Sequence, residues 1–282
     1  MSERGLEGPI DSGASADRPI GVFDSSIGGL SVLRALRLEL PHEDFLYVDD
    51  SGHAPYGERG EAHALARSRD ITQSLRAQGI KALVIACNTA TAAAVAQLRA
   101  EHPDLPIIGV EPALKPALAA SRGGRIGVMA TRGTLASAKF AALLNSLENQ
   151  AEFVLQPCDG LAEAIDRIAA TGERGAAEAL CRRYTEAMGT VDTLVLGCTH
   201  YVLVQDLLAR LLGPEVTLVS NGEPVARHAR RVLAQRGLLK IEGWGTVQFD
   251  TTGLTATLRT AVQHWLPGAG VMCAPHRPAR LS

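Results

Sequence analysis

Two segments of this chain run unbroken apolar residues into a cysteine and then into small polar residues: Ala82-Leu-Val-Ile-Ala-Cys87-Asn-Thr and Thr193-Leu-Val-Leu-Gly-Cys198-Thr-His. A short strand that is apolar at every position, not at alternate ones, must be covered on both faces, which in practice means a parallel sheet under crossover helices. A weaker pair repeats at nearly the same spacing, Ile20-Gly-Val-Phe-Asp24-Ser matching Ile126-Gly-Val-Met-Ala130-Thr. Two similar halves are therefore expected, with strand ends able to face each other across a cleft. A duplicated core strand without chemistry would give the same apolar pattern; the polar cluster after each cysteine weighs against it.

The rest of the chain fits this frame. Strands are expected at Ile20–Phe23, Phe45–Val48, Ala82–Ala86, Ile107–Gly109, Ile126–Met129, Phe153–Leu155, Leu194–Gly197, Val216–Val219 and Thr246–Phe249. The intervening stretches Glu58–Gln78, Leu135–Leu147 and Tyr201–Leu212 carry apolar residues at helical spacing. The expected fold is α/β, two similar three-layer domains with mainly parallel sheets and the active site in the cleft between them. Residues 19–111 with 225–267 are expected to form the first domain, and 112–224 the second, inserted one. Residues 1–18 and 268–282 read as flexible tails. Glu111-Pro112 is expected as an interdomain corner.

Composition narrows the function. The 28 Lys and Arg residues are scattered among 30 Asp and Glu, for a formal net charge of -2, so no basic stripe predicts nucleic acid or an anionic membrane as partner. No apolar stretch reaches the roughly 20 residues needed to span a bilayer, and Met1–Asp17 lacks the apolar centre of a secretory signal. A cytoplasmic location is expected. The cysteines 87, 158, 181, 198 and 273 are too few and too widely spaced for a disulfide framework, and no CxxC or nearby histidine pair forms a metal-ligand set. No cofactor or metal is expected.

Cys87 and Cys198 stand where a parallel strand hands over to a helix, the end of such sheets at which ligands settle. Unpaired helix-start amides there favour negative charge and suit a reactive thiol. An isolated cysteine in such a place is more often an inert small residue; two of them, each heading a matching polar cluster, reverse that balance. Asp24-Ser25-Ser26 follows the first strand, and Gly28-Gly29 would let the backbone approach a small ligand. The GxGxxG dinucleotide spacing is absent. Pro55-Tyr56-Gly57 is either a turn or a carboxylate site built from the phenol and flanking amides.

Together these positions resemble the glutamate racemase family. Its Asp-Ser-Gly is similar to Asp24-Ser25-Ser26, its Pro-Tyr-Gly is present as Pro55-Tyr56-Gly57, and its two cysteine motifs as Ala86-Cys87-Asn88-Thr89-Ala90 and Leu196-Gly197-Cys198-Thr199-His200-Tyr201; the late Thr-Thr-Gly is Thr251-Thr252-Gly253. The resemblance covers Pro19 to Pro267. It implies cofactor-independent interconversion of L- and D-glutamate, one thiolate taking the α-proton while the opposite thiol supplies another, and D-glutamate for peptidoglycan. It implies that Asp24 assists Cys87, and that His200 with an acidic residue assists Cys198. That acid aligns with Asp166, with Glu163 as the competitor. Ser25, Asn88, Thr89 and Thr199 would bind the substrate's charged groups, and Pro55, Tyr56 and Gly57 its side-chain carboxylate. A homodimer is also implied. Ser26, Val202 and Ser220 depart from the pattern, and Asp159 replaces its proline.

Other readings compete: an aspartate or related amino-acid racemase, a hydrolase with one cysteine as nucleophile and His200 as base, a nonenzymatic amino-acid binder, or redox exchange between the cysteines.

Overall fold

The computed structural model describes residues 15–268 and the backbone of Met272–Pro275. In chain order the strands are β1 (Ile20–Asp24), β2 (Phe45–Asp49), β3 (Ala82–Ile85), β4 (Ile107–Gly109), β5 (Arg125–Ala130), β6 (Glu152–Pro157), β7 (Thr193–Leu196), β8 (Thr217–Val219), β9 (Val247–Thr251) and β10 (Met272–Pro275). The helices are α1 (Leu30–Glu39), α2 (Tyr56–Arg59), α3 (Glu61–Ala77), α4 (Asn88–Glu101), α5 (Leu114–Ala120), α6 (Arg132–Ala136), α7 (Ala138–Asn145), α8 (Leu161–Thr171), α9 (Gly175–Met188), α10 (Gln205–Leu212), α11 (Gly222–Gln235) and α12 (Thr255–Trp265). Two sheets result, ordered β10-β9-β2-β1-β3-β4 and β6-β5-β7-β8. Every pairing in both is parallel.

Helices cover both faces of each sheet. On the first, Leu30, Leu33 and Leu36 of α1 join Ala226, Ala229 and Leu233 of α11 and Leu258 and Val262 of α12 on one side. Ile71 and Leu75 of α3 and Ala90, Ala94 and Leu98 of α4 cover the other. The second sheet lies between Leu161, Ile165, Cys181, Met188 and Leu208 on α8 to α10 and Leu114, Ala117 and Phe140 on α5 and α7. All four residues of β3 and of β7 are buried, as strands covered on both faces require. Among the described residues no helix is long and apolar enough to cross a membrane.

Local chemistry breaks three of the expected helices. Gly60, at φ 91°, separates α2 from α3, a conformation that costs glycine little and other residues much. Ser137 leaves the helical region and caps α7 by accepting from the Phe140 amide at 3.1 Å. Thr199–Val204 forms a 3-10 turn ahead of α10. The chain also returns to the first sheet later than expected of a loose tail: Met272–Pro275 pairs in parallel with β9. The remainder of the expected tails, residues 1–14, 269–271 and 276–282, lies outside the described residues.

At the amino edge of the first sheet, Lys81 and Glu43 form an ion pair of 2.5 Å with both side chains fully buried. Lys81 also donates to the Ala16 carbonyl, and Glu43 accepts from the Lys240 amide at 2.9 Å. The pair thus ties the starts of β2 and β3 to the segment before β9. Lys81→Met should cost about 3–5 kcal/mol in urea denaturation, because Glu43 is left buried without the cation that pairs with it, and adding Glu43→Gln should recover much of the loss.

Candidate active site

The carboxyl ends of the two sheets face one cavity of about 510 Å³. Its wall contains Asp24 and Ser25 from the end of β1, Pro55, Tyr56 and Gly57 after β2, and Cys87, Asn88 and Thr89 after β3. From the second sheet come Cys198, Thr199 and His200 after β7, with Asp166 on α8. Thus the residues singled out in the sequence are brought to one place, although they span most of the chain.

Cys87 occupies the N-cap of α4, its sulfur accepting from the Ala90 amide at 3.4 Å and its thiol directed to Ser25 Oγ at 3.6 Å. Ser25 is held by Asp24, whose Oδ1 accepts from the Ser25 amide at 2.6 Å. Asp24 Oδ2 accepts from the Thr199 hydroxyl at 2.9 Å, linking the two bodies. Burial, then the Asp24 charge, pushes the Cys87 thiol well above its ordinary value. Burial also raises Asp24, against the His200 charge and the hydrogen bond from Thr199.

Cys198 has a different partner set. His200 Nδ1 lies 3.7 Å from the sulfur, and Nε2 lies 3.0 Å from Asp166 Oδ1. Burial opposes charge on the ring, but the Asp166 carboxylate, its hydrogen bond and Cys198 outweigh it, so His200 stays protonated well above the usual imidazole range. Glu163, the competing acid, is exposed at the mouth and paired with Arg167. Asp166 alone of the two meets His200.

Two expectations change in detail. The Tyr56 phenol is not free for a ligand: it donates to Asp50 Oδ2 at 2.5 Å, beside Arg67, whose Nε and Nη2 reach the same carboxylate at 2.9 Å. Only the rest of the Pro55–Gly57 loop is left to meet one. Gly28 and Gly29 do not border the cavity. A Cβ on Gly28 would lie 2.3 Å from His200 Nδ1, and one on Gly29 2.6 Å from Asp24 Cβ; their bareness lets the segments carrying Asp24 and His200 approach one another, not a ligand.

Sequence reasoning passed over three groups. Thr131, on the cavity wall at the end of β5, meets Thr89 at 3.0 Å across the cleft. Its signal was present, since the Ile20/Ile126 match sets Thr131 opposite Ser25. Asp50 anchors the Tyr56 loop, and Cys158 joins the wall after β6; neither stands out without the fold. Asn88 Nδ2 is buried on the cavity side of α4 with no partner, an arrangement costing about 1–3 kcal/mol unless a ligand accepts from it. Among the described residues no group of three His, Cys, Asp or Glu could hold a metal.

Asp166→Asn removes the charge that opposes desolvation of His200. The ring should then titrate near or below about pH 6.5, where the parent stays protonated far higher; imidazole NMR measures both. In the parent, the stability that this raised ionisation contributes is complete below about pH 6.5 and is lost as pH rises through the folded-state value.

Residues 20–229 match the Asp/Glu/hydantoin racemase family. The chain is 49% identical to the glutamate racemase of Ectopseudomonas mendocina over 83% of its own length and 89% of that protein's. In structure it is similar to glutamate racemase from Bacillus anthracis (TM-score 0.80, 30% identity, 92% and 96% of the two chains). It is likewise similar to that of Francisella tularensis in complex with D-glutamate (TM-score 0.79, 26% identity, 93% and 98%). With two cysteines on one cavity, each with its own acid partner, and likeness of this extent, the chain belongs to the glutamate racemase family of Asp/Glu/hydantoin racemases.

Proposed function

We propose that this chain interconverts L- and D-glutamate by two-thiol proton transfer, with Cys87 and Cys198 on opposite faces of the α-carbon and the D-glutamate serving peptidoglycan synthesis. The observation that carries the reading is a single cavity holding two thiols with separate acid partners, Asp24 through Ser25 on one side and His200 with Asp166 on the other. A hydrolase needs one such sulfur; two-base inversion of a carbon uses a proton carrier on each side. The binding unit is the cleft between residues 19–111 with 225–267 and residues 112–224. A homodimer is the assembly proposed with it, and light scattering tests that.

A thiol titrates near 8.5 in water, far below an amino-acid α-hydrogen, so the site must stabilise the carbanion-like species. The unpartnered Asn88 Nδ2 and the Ser25 and Thr89 hydroxyls on the same wall would meet the α-carboxylate, with the Thr199 hydroxyl joining them on turning from Asp24, and a well-placed donor contributes about 3–4 kcal/mol to a developing charge. Burial and the neighbouring Asp24 carboxylate favour the neutral thiol at Cys87. The substrate's ammonium would bring the positive charge that side lacks, after which the Cys87 proton can pass toward Asp24. On the other side protonated His200 already stands at the distance from which it exchanges a proton with Cys198. Holding both sulfurs beside one carbon makes removal and return of the proton local events. Pro55–Gly57 and Thr131 close the end of the cavity proposed for the side-chain carboxylate.

Incubation with either glutamate enantiomer in D2O should give deuterium at the α-carbon and loss of optical activity, with aspartate a poor substrate. Cys87→Ser and Cys198→Ser should each lower kcat/KM by about 10²–10⁴-fold, the usual contribution of a general acid or base. Cleaved products, or full racemisation by Cys87→Ala/Cys198→Ala, would overturn the proposal.

A further inference from the structure

Asp49, at the carboxyl end of β2, is one residue the proposed reaction does not use. It stands in register with Asp24 on one side and Thr251 on the other, so two aspartates sit side by side at adjacent strand ends, both essentially without solvent exposure. Their surroundings differ. Both oxygens of Asp24 accept hydrogen bonds, and the His200 charge acts on it. Asp49 Oδ2 accepts from Ser51 at 2.7 Å and Thr251 at 2.6 Å, while the buried Oδ1 has no partner. The groups acting most strongly on Asp49 are those two hydroxyls and the carboxylates of Asp166 and Asp24, with no cation among them.

We propose that Asp49 is a positioning residue for the racemase reaction: side by side with Asp24 at the strand ends, it fixes Ser51 against the cavity and sets how much negative charge stands on the Cys87 side. This rests on the racemase reading. Two adjacent buried carboxyls do not both ionise readily, and the one with more donors and a nearby cation takes the charge. Burial, opposed by Thr251 and Ser51 but reinforced by Asp166 and Asp24, pushes Asp49 up to about 7. Asp24 on β1 and Thr251 on β9 stand beside it, and the charges of Asp24 and of Asp166 on α8 act on it, as it acts on Tyr47 of β2. Ser51 itself lines the cavity. The Thr251–Gly253 turn closes over it so tightly that a Cβ on Gly253 would lie 2.2 Å from Ser51 Oγ. Asp49 therefore reaches the substrate space only through Ser51 and through the field at Asp24.

Once Asp49 ionises, a second negative charge beside Asp24 opposes both thiolate at Cys87 and binding of a dicarboxylate. Asp49→Asn keeps the shape and removes the charge. The ratio of kcat/KM for Asp49→Asn over the parent, measured in both directions, should rise about 3–10-fold between pH 6 and pH 8.5, a pKa unit being worth tenfold. A ratio independent of pH would overturn the proposal, since a merely structural residue would shift both profiles together. A second readout is independent of activity. An acid whose folded pKa is raised loses the protein stability as pH rises from its unfolded value toward its folded one, so the Tm gain of Asp49→Asn over the parent should be larger at pH 8 than at pH 4; equal gains would also overturn it. Should the variant fail to fold, infrared spectra of the parent should show a protonated carboxyl band at pH 6 that disappears by pH 8.5, and its absence at pH 6 would defeat the idea. A parent inert in α-proton exchange would instead defeat the racemase reading, leaving the Tm and infrared results to decide the state of Asp49.

Discussion

Desolvation of ionisable groups is the interaction on which this site depends. The carboxyl ends of two parallel sheets meet, and the groups projecting from them are taken out of water together: Asp24, Asp49, Cys87, Cys198 and His200 are all less than a tenth exposed. In such surroundings charge persists only where a partner or several donors hold it. His200 has Asp166. Asp24 has Ser25, Thr199 and the field of His200. Cys87 has the Ala90 amide against a nearby carboxylate and stays neutral. The protonation pattern follows from which groups were given partners.

Closeness between the two bodies is the second requirement, and glycine supplies it. The Gly28 backbone sits where any side chain would strike His200 and Thr199, and Ser31 on α1 donates to the Thr199 carbonyl at 3.1 Å. Thr89 meets Thr131 on the other flank of the cavity, and a Cβ on Gly57 would press on Thr131 at 3.2 Å. These contacts from both sides fix the two cysteine loops relative to each other, where misplacement of a reacting group by about 1 Å can cost a hundredfold in rate.

Much of this was legible in the sequence because the strands that matter are buried on both faces. An unbroken apolar run such as Ala82–Ile85 has one reading in a chain that alternates with helical stretches, and the polar residues after it are then placed at a strand end. Helix boundaries were less legible, since a single backbone conformation at Gly60 or a side-chain cap at Ser137 overrides a continuous apolar period. The engagement of the Tyr56 phenol was not legible for a related reason: its partner Asp50 is held by Arg67 on α3 and Thr252 after β9, contacts made only when distant segments fold together. Asp49 carried no signal because Asp-Asp after a strand ordinarily reads as a solvated turn. Its burial depends on Thr251, more than two hundred residues later.

The internal repeat repeats less than it first suggests. It duplicates a position, the sulfur at the end of a central strand, and so sets one thiol on each side of a shared space. It does not duplicate the acid that serves each thiol. Cys87 has a buried aspartate reached through a serine, and burial together with that carboxylate raises the thiol. Cys198 has an imidazolium braced by a carboxylate. A racemase must run both ways over a substrate whose enantiomers are equal in energy, yet nothing requires its two half-sites to rest in the same protonation state. Symmetry of position is what inversion at carbon demands. With unlike partners, one thiol can start neutral while the other faces a ready proton donor, so the direction of turnover decides which side must be recharged before the next molecule binds.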